Sequence, residues 1–284
     1  MPVIEYFNFY YFLYLALAFG LFFGLYFLLR HKSASASKWV LFSILLLSFV
    51  FHFLKLFDEF YQAWMPYSIR TITPENICAV SVLIFPFFFL SKNPLLKDYM
   101  FYVGIFSGIG ATVLPIDVIG RSAFEFETFR YHFSHALLWI IPLLMVVLKL
   151  HTLDYKRIIK VPFIFYLILC IILVNEVILI GAGFVNADIL FSREIRNHTL
   201  IFGPLAEVEF IGVIFNTLTP EIFRTVPIGP NVGEVFYWPI VWLIIPSFVY
   251  FSLASLLLSF PFEYRKIKHD IVALMLRLSG KGTR

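Results

Sequence analysis

Residues Tyr6–Leu29 read YFNFYYFLYLALAFGLFFGLYFLL, a run without a single Asp, Glu, Lys or Arg. At about 1.5 Å rise per residue, a helix of this length crosses the roughly 30 Å hydrocarbon core of a bilayer. It is apolar on every face, so the two-residue alternation of a barrel strand does not describe it. No basic residue precedes it, and it is longer than the apolar core of a secretory leader. It reads as a retained first span.

The pattern recurs along the chain. Further apolar stretches are Trp39–Phe57, Ile77–Leu90 (a short one, taken to begin at Pro74 and extend to Ser91), Met100–Ile119, Tyr131–Leu148 (to Lys149 at most), Val161–Phe184 and Phe236–Phe260. In lipid the backbone must satisfy its own hydrogen bonds, so each is expected to be a helix. The sequence thus predicts an all-α, polytopic transmembrane bundle of about seven spans in a single domain covering residues 1–284. An outer loop runs over 185–235 and a basic tail over 263–284.

Composition agrees. The 284 residues are 61% hydrophobic and only 14% charged, against about 25% charged in a soluble domain. No water-soluble fold hides that much apolar surface, so a soluble enzyme is excluded. The 36 Phe and 15 Tyr suit a bundle whose flanks meet acyl chains and whose ends meet headgroups. The two cysteines, Cys78 and Cys170, form no framework of disulfides. No cofactor, metal or nucleic-acid partner is expected, and nothing in the sequence sets the oligomeric state.

Loop charges alternate in sign. Arg30, Lys32 and Lys38 make the first loop basic, and Asp58, Glu59, Arg70 and Glu75 make the second slightly acidic. The third carries Lys92, Lys97 and Asp98, and the fourth, Asp117 to Arg130, is net acidic. The fifth, Lys149 to Lys160, is basic, the sixth acidic and the tail strongly basic. The positive-inside rule then places the N-terminus outside and the C-terminus in the cytoplasm. Within the sixth loop, Leu200–Asn216 is apolar but holds Gly203-Pro204, Glu207 and Glu209, and is read as a re-entrant or interfacial segment. Asn197-His198-Thr199 is a glycosylation sequon on that same side.

Ionisable groups inside spans are expensive and point to function. Here they gather in the outer half. His52, Lys55 and Glu59 share one helix face by their i, i+3, i+7 spacing. Cys78 lies about 6 Å into its helix from Pro74, and His135 about 7 Å into its own from Arg130. Asp117 closes the fourth span at that level, while Asn175 and Glu176 are placed near the middle of the sixth. A thiol and an imidazole therefore lie at matching depth on two helices. With Thr73 as N-cap and Pro74 at the first helical position, the helix N-terminus favours a thiolate at Cys78, helped by Lys55 or a protonated histidine nearby. Blander readings stand beside this one. A lone membrane cysteine is most often a small filler, as Cys170 is read. Lys55 snorkels in many settings, and Glu176 with Asn175 suits interhelical glue. His132 and His135 are half a metal site with no second ligand pair, and Ser134 points about 100° away from His135 on the helix.

The motifs around the third to fifth spans carry a resemblance. Thr73-Pro74-Glu75-Asn76-Ile77-Cys78 resembles the Leu-Pro-x-His/Asn-Leu-Cys motif of bacterial YwaF-type integral membrane proteins. Leu114-Pro115-Ile116-Asp117 resembles their helix-ending Pro-Asp element, and Phe126–His135 followed by Pro142 resembles their Ser-His helix. The same block is similar to eukaryotic transmembrane protein 164, an acyltransferase, and more remotely to the androgen-induced lipid hydrolases. The resemblance covers about residues 73–145. It implies an intramembrane thiol–imidazole acyl-transfer site with Cys78 and His135 as the carried-over pair. His52, Lys55, Asn76, Asp117, His132 and Glu176 are the supporting candidates, with Lys55, His52 or backbone N–H groups as oxyanion donors.

Three function classes follow. The first is a lipid acyltransferase or ester hydrolase acting on a membrane phospholipid or lysolipid near the outer leaflet of a bacterial plasma membrane. The second is a small-molecule or ion transporter using the same polar cavity, which predicts flux that survives loss of the thiol. The third is a non-catalytic seven-helix receptor or assembly protein, which predicts a tightly held partner and an unchanged lipidome.

Overall fold

A computed structural model describes residues 2–187, 199–204 and 209–279. Its helices are α1 (Phe9–Leu29), α2 (Ala34–Leu54), α3 (Ile77–Leu90), α4 (Pro94–Val113), α5 (Phe126–Val147), α6 (Val161–Gly181), the short α7 (Glu209–Asn216) and α8 (Ser252–Leu278). Six are long and apolar enough to cross a membrane, and α3 is a shorter apolar helix of 14 residues. The protein is an all-α polytopic membrane bundle, with seven principal apolar helices among the described residues, of which one, about 21 Å long, falls short of the hydrocarbon thickness.

The bundle is organised around α5. Protein covers 72% of its apolar window, more than for any other long helix. It packs on α4, α2, α1 and α3, while α6 closes over α3 and α4. The tightest junction is between α4 and α5, and its cause is a pair of glycines one turn apart. A Cβ at Gly104 would collide with the backbone oxygen of Leu138, and one at Gly108 would sit 2.9 Å from both the His135 oxygen and the Trp139 nitrogen. Small residues spaced this way let two membrane helices touch backbone to backbone.

Several expected boundaries move, each for a local reason. The third helix does not start at Pro74 with Thr73 as its cap. Asn76 is the N-cap, extended at φ −154°, and its Oδ1 accepts from the Ala79 amide at 2.8 Å. Thr73 instead ends the preceding turn, donating its hydroxyl to the Arg70 carbonyl. The fourth helix begins at Pro94, earlier than Met100, because Asn93 caps it and proline suits its first position. The fifth begins at Phe126, which draws Glu127 and Arg130 into the helix. The last span is not helical from Phe236. Regular winding starts near Ile244, passes a π-helical stretch at Ser247–Phe251 and continues to Leu278, so much of the basic tail is helix.

The sixth loop contains α7, whose eight residues reach about 12 Å, too little to cross the bilayer alone. Trp242, fully buried, donates its indole N–H to the Leu200 carbonyl at 2.8 Å and ties this region to the bundle. Glu207 and most of the sequon, Asn197-His198, lie outside the described residues.

Each end of the bundle has its own fastening. At the α5 N-terminal end, the chain start runs beside the loop before α5: Ile4 donates to Arg121 and receives from Gly120. At the opposite end, fully buried Asp98 accepts two hydrogen bonds from Arg157 and one contact from His151 Nε2 at 2.7 Å. A second latch there joins Lys266 of α8 to Asp154 at 2.6 Å.

Candidate functional site

One cavity of about 810 Å³ opens among α2, α3, α4 and α5, within the size range of small-molecule sites. Its two ends differ in character. The polar end holds Lys55, Arg70, Glu75, Asp117, Glu127 and Arg130, and the far end is walled by Val82, Val103, Phe106, Phe165 and Phe251. Along α4 the lining runs from Val103 to Gly110, Ala111 and Leu114, about 16 Å of helix. A polar mouth over an apolar shaft is the shape of a group that has a head and a tail.

Cys78 and His135 both line this cavity and are half-buried. Consecutive residues of α4 lie against the two helices that carry them. The Ser107 side chain lies beside the Cys78 thiol, and Gly108 lies under the His135 backbone. Cys78 is the second residue of α3, next to the Asn76 cap, so its amide and that of Ile77 have no acceptor inside the helix. His135 is oriented by its own helix: Nδ1 is 2.8 Å from the Tyr131 carbonyl. A carbonyl only accepts, so Nδ1 carries the proton and Nε2 holds the lone pair. The Tyr131 ring packs 4.1 Å from the imidazole, centroid to centroid, and its hydroxyl donates to the Ala111 carbonyl.

The other sequence candidates divide. His52, Lys55, Asn76 and Asp117 line the same cavity. His132 does not: it faces α1, stacked on Tyr14 at 4.0 Å and 12°, beside a separate crevice of about 70 Å³. Residues three apart on a helix differ by only about 60°, and it is the approach of α1, with Tyr14 stacked on the His132 ring, that gives His132 a different neighbour. Glu176 is buried outside the lining. Its neighbour Asn175 donates to Thr73 Oγ1 at 3.0 Å, which puts this pair at the level of the loop before α3 rather than mid-span. Asp117, Lys55 and Cys78 share this cavity, so both an anion and a cation stand in the surroundings of the thiol. Ser134 also lines the cavity and receives a 3.3 Å hydrogen bond from Ser48 of α2.

A buried ionic knot was not foreseen as part of the site. Glu127 accepts from Arg130 at 2.5 and 2.6 Å and from the Tyr61 hydroxyl at 2.7 Å, with Glu127 and Arg130 both more than nine-tenths buried. Tyr61 lies outside the spans, and burial followed by the field of Glu127 pushes its hydroxyl far above the usual phenol range. It is a fixed donor, and it pins the 55–76 segment over the cavity. The i, i+3 spacing of Glu127 and Arg130 would have signalled this pair had the helix been started at Phe126.

An all-α membrane bundle with Cys78 and His135 lining one internal cavity defines the class: a polytopic integral membrane protein. The chain belongs to the TMEM164 family, whose model matches residues 6–218. No curated protein and no solved structure matches it.

Proposed function

We infer that the protein is a membrane lipid acyl-transfer enzyme, an acyltransferase or ester hydrolase with Cys78 as nucleophile and His135 as base and acid. The observation that carries this reading is the placement of Cys78 and His135 in one cavity that is polar at one end and apolar at the other. An ester joins a polar head to an apolar tail, so its carbonyl belongs between those ends.

In the first half-reaction the Cys78 sulfur attacks the ester carbonyl while its proton passes to His135 Nε2, the free nitrogen of the tautomer fixed by Tyr131. The Ile77 and Cys78 amides, unclaimed by the helix, face the developing oxyanion. The carbon–oxygen bond then breaks, and the alkoxide leaves with the proton held by His135. A thioester remains on Cys78. In the second half, a lysolipid hydroxyl or water attacks the thioester, His135 takes its proton, and the carbon–sulfur bond breaks to restore the thiol. Which acceptor enters decides between transfer and hydrolysis.

Membership of the TMEM164 family is compatible with this chemistry. The motif likeness to YwaF-type proteins supports a bacterial plasma membrane, and the loop charges support a cavity facing the outer leaflet. The test is acyl exchange between phospholipid and lysolipid in membranes from wild type, Cys78→Ala and His135→Ala. Both variants are expected to lose at least about 10²-fold in rate. Full activity in either overturns the mechanism.

A further inference from the structure

Lys55 is the unexplained charge of the cavity. It is 5% exposed and lines the polar end, yet its ammonium makes no ion pair or hydrogen bond among the described residues. The Tyr61 ring lies 5.9 Å away. Glu75, Glu127, Asp117 and Arg130 act on it only through space. Of the three carboxylates around it, Glu127 is bonded to Arg130 and Tyr61, and Glu75 and Asp117 line the same cavity without forming an ion pair with its ammonium. A cation taken out of water with no carboxylate in direct contact is costly in a membrane protein, and the cost is relieved when an anion docks against it.

We propose that Lys55 is an anion subsite that binds the phosphodiester of the lipid substrate and so sets which ester carbonyl stands at Cys78. This rests on the acyl-transfer reading above. Two points favour the phosphodiester over the reaction oxyanion as the anion it holds. Lys55 keeps company with Tyr61, Glu127 and Arg130 at the polar end rather than with the apolar shaft. The phosphodiester is also a lipid group that stays anionic throughout the neutral range. Lys55 would thus be a specificity-determining residue, placing the head while the shaft takes the chain.

The experiment measures occupancy without needing turnover. In a Cys170→Ala background, full-length protein in detergent is alkylated at Cys78 with a maleimide in the presence of dioctanoyl-phosphatidylcholine, dioctanoylglycerol or inorganic phosphate. The phospholipid is expected to protect Cys78 at a concentration about tenfold lower, or more, than Lys55→Met requires. Lys55→Arg should retain protection near wild type, and dioctanoylglycerol should protect wild type and Lys55→Met alike. Protection by inorganic phosphate that Lys55→Met abolishes also supports the anion subsite, with a free anion as an additional occupant. An unchanged phospholipid midpoint in a folded Lys55→Met overturns the proposal. If that variant does not fold, equal protection of wild type by phospholipid and dioctanoylglycerol overturns it. Because no catalysis is measured, an inactive protein with Lys55-dependent protection refutes the acyl-transfer reading alone.

Discussion

Replacing Gly108 with alanine tests the packing that sets the site. The added Cβ would lie 2.9 Å from the His135 oxygen, 2.9 Å from the Trp139 nitrogen and 3.0 Å from the Leu138 Cβ. Carbon contacts are comfortable at about 3.5–4.0 Å, so α4 and α5 must part by roughly 0.5–1 Å. Two of the three obstacles are backbone, which no rotamer change relieves. Overpacking of this kind costs about 1–3 kcal/mol, while alanine for glycine in a helix returns up to about 1 kcal/mol. The net expectation is a loss of about 1–2 kcal/mol, or roughly 2–6 °C in apparent Tm for a chain of this size. Displacing His135 by such a distance would also cut acyl exchange, since misplacement of about 1 Å can cost 10²-fold. Gly24 of α1 and Gly110 of α4 are the controls, because a Cβ at either meets nothing within 4 Å. Thermal unfolding in detergent should show Gly108→Ala below wild type and Gly24→Ala and Gly110→Ala level with it or above. Equal melting of Gly108→Ala and Gly24→Ala would refute the argument.

Other outcomes are expected from the charged fastenings. Arg130→Ala strands the buried Glu127 carboxylate and should destabilise by about 3–5 kcal/mol, read as a lowered Tm; removing Tyr61 alone, as Tyr61→Phe, should cost only about 1–2 kcal/mol. At the opposite end Asp98→Ala leaves Arg157 and His151 without their shared acceptor and should lower Tm comparably. Asp154 gives a pH dependence with a definite sign. Partial burial pushes its carboxyl up, but hydrogen bonds from Lys266 and the Lys156 amide hold it below the usual range. A depressed folded pKa means stabilisation that is present above about pH 4 and is lost as pH falls through the folded value. The pair is partly exposed, so its contribution is about 0.5 kcal/mol, and a Lys266→Met protein should show less acid sensitivity between about pH 5 and 3 than wild type. Finally, a membrane-impermeant maleimide added to sealed right-side-out vesicles should label Cys78 if the cavity opens outward; labelling only from inverted vesicles contradicts the orientation.

The spans were legible because lipid imposes a simple rule on the backbone, and the run Tyr6–Leu29 is helical from Phe9, where Asn8 caps it, to its end. The helix ends were less so. Pro74 and Asn76 both resemble the start of α3, and what separates them is the reach of the Asn76 side chain to the Ala79 amide, which spacing does not reveal. Loop charges and helix counting assigned Cys78 and His135 a common depth, and the two residues line one cavity. That His132 belongs elsewhere was not readable, since it depends on α1 presenting Tyr14 to that ring. Gly104 and Gly108 are four residues apart in the sequence, but that spacing acquires a meaning only once α5 is known to be the neighbour. Glu127 and Arg130 were hidden by a boundary: assigned to a loop they are solvated charges, and inside α5 they are a buried pair.

The claim that matters most is that Cys78 carries the acyl group. Purified protein incubated with a phospholipid bearing a labelled acyl chain, then quenched and digested, should yield a hydroxylamine-sensitive label on the Cys78 peptide. That label should persist in Cys170→Ala and vanish in Cys78→Ala and His135→Ala. Label on Ser134, or turnover in Cys78→Ala without any thioester, would contradict the account.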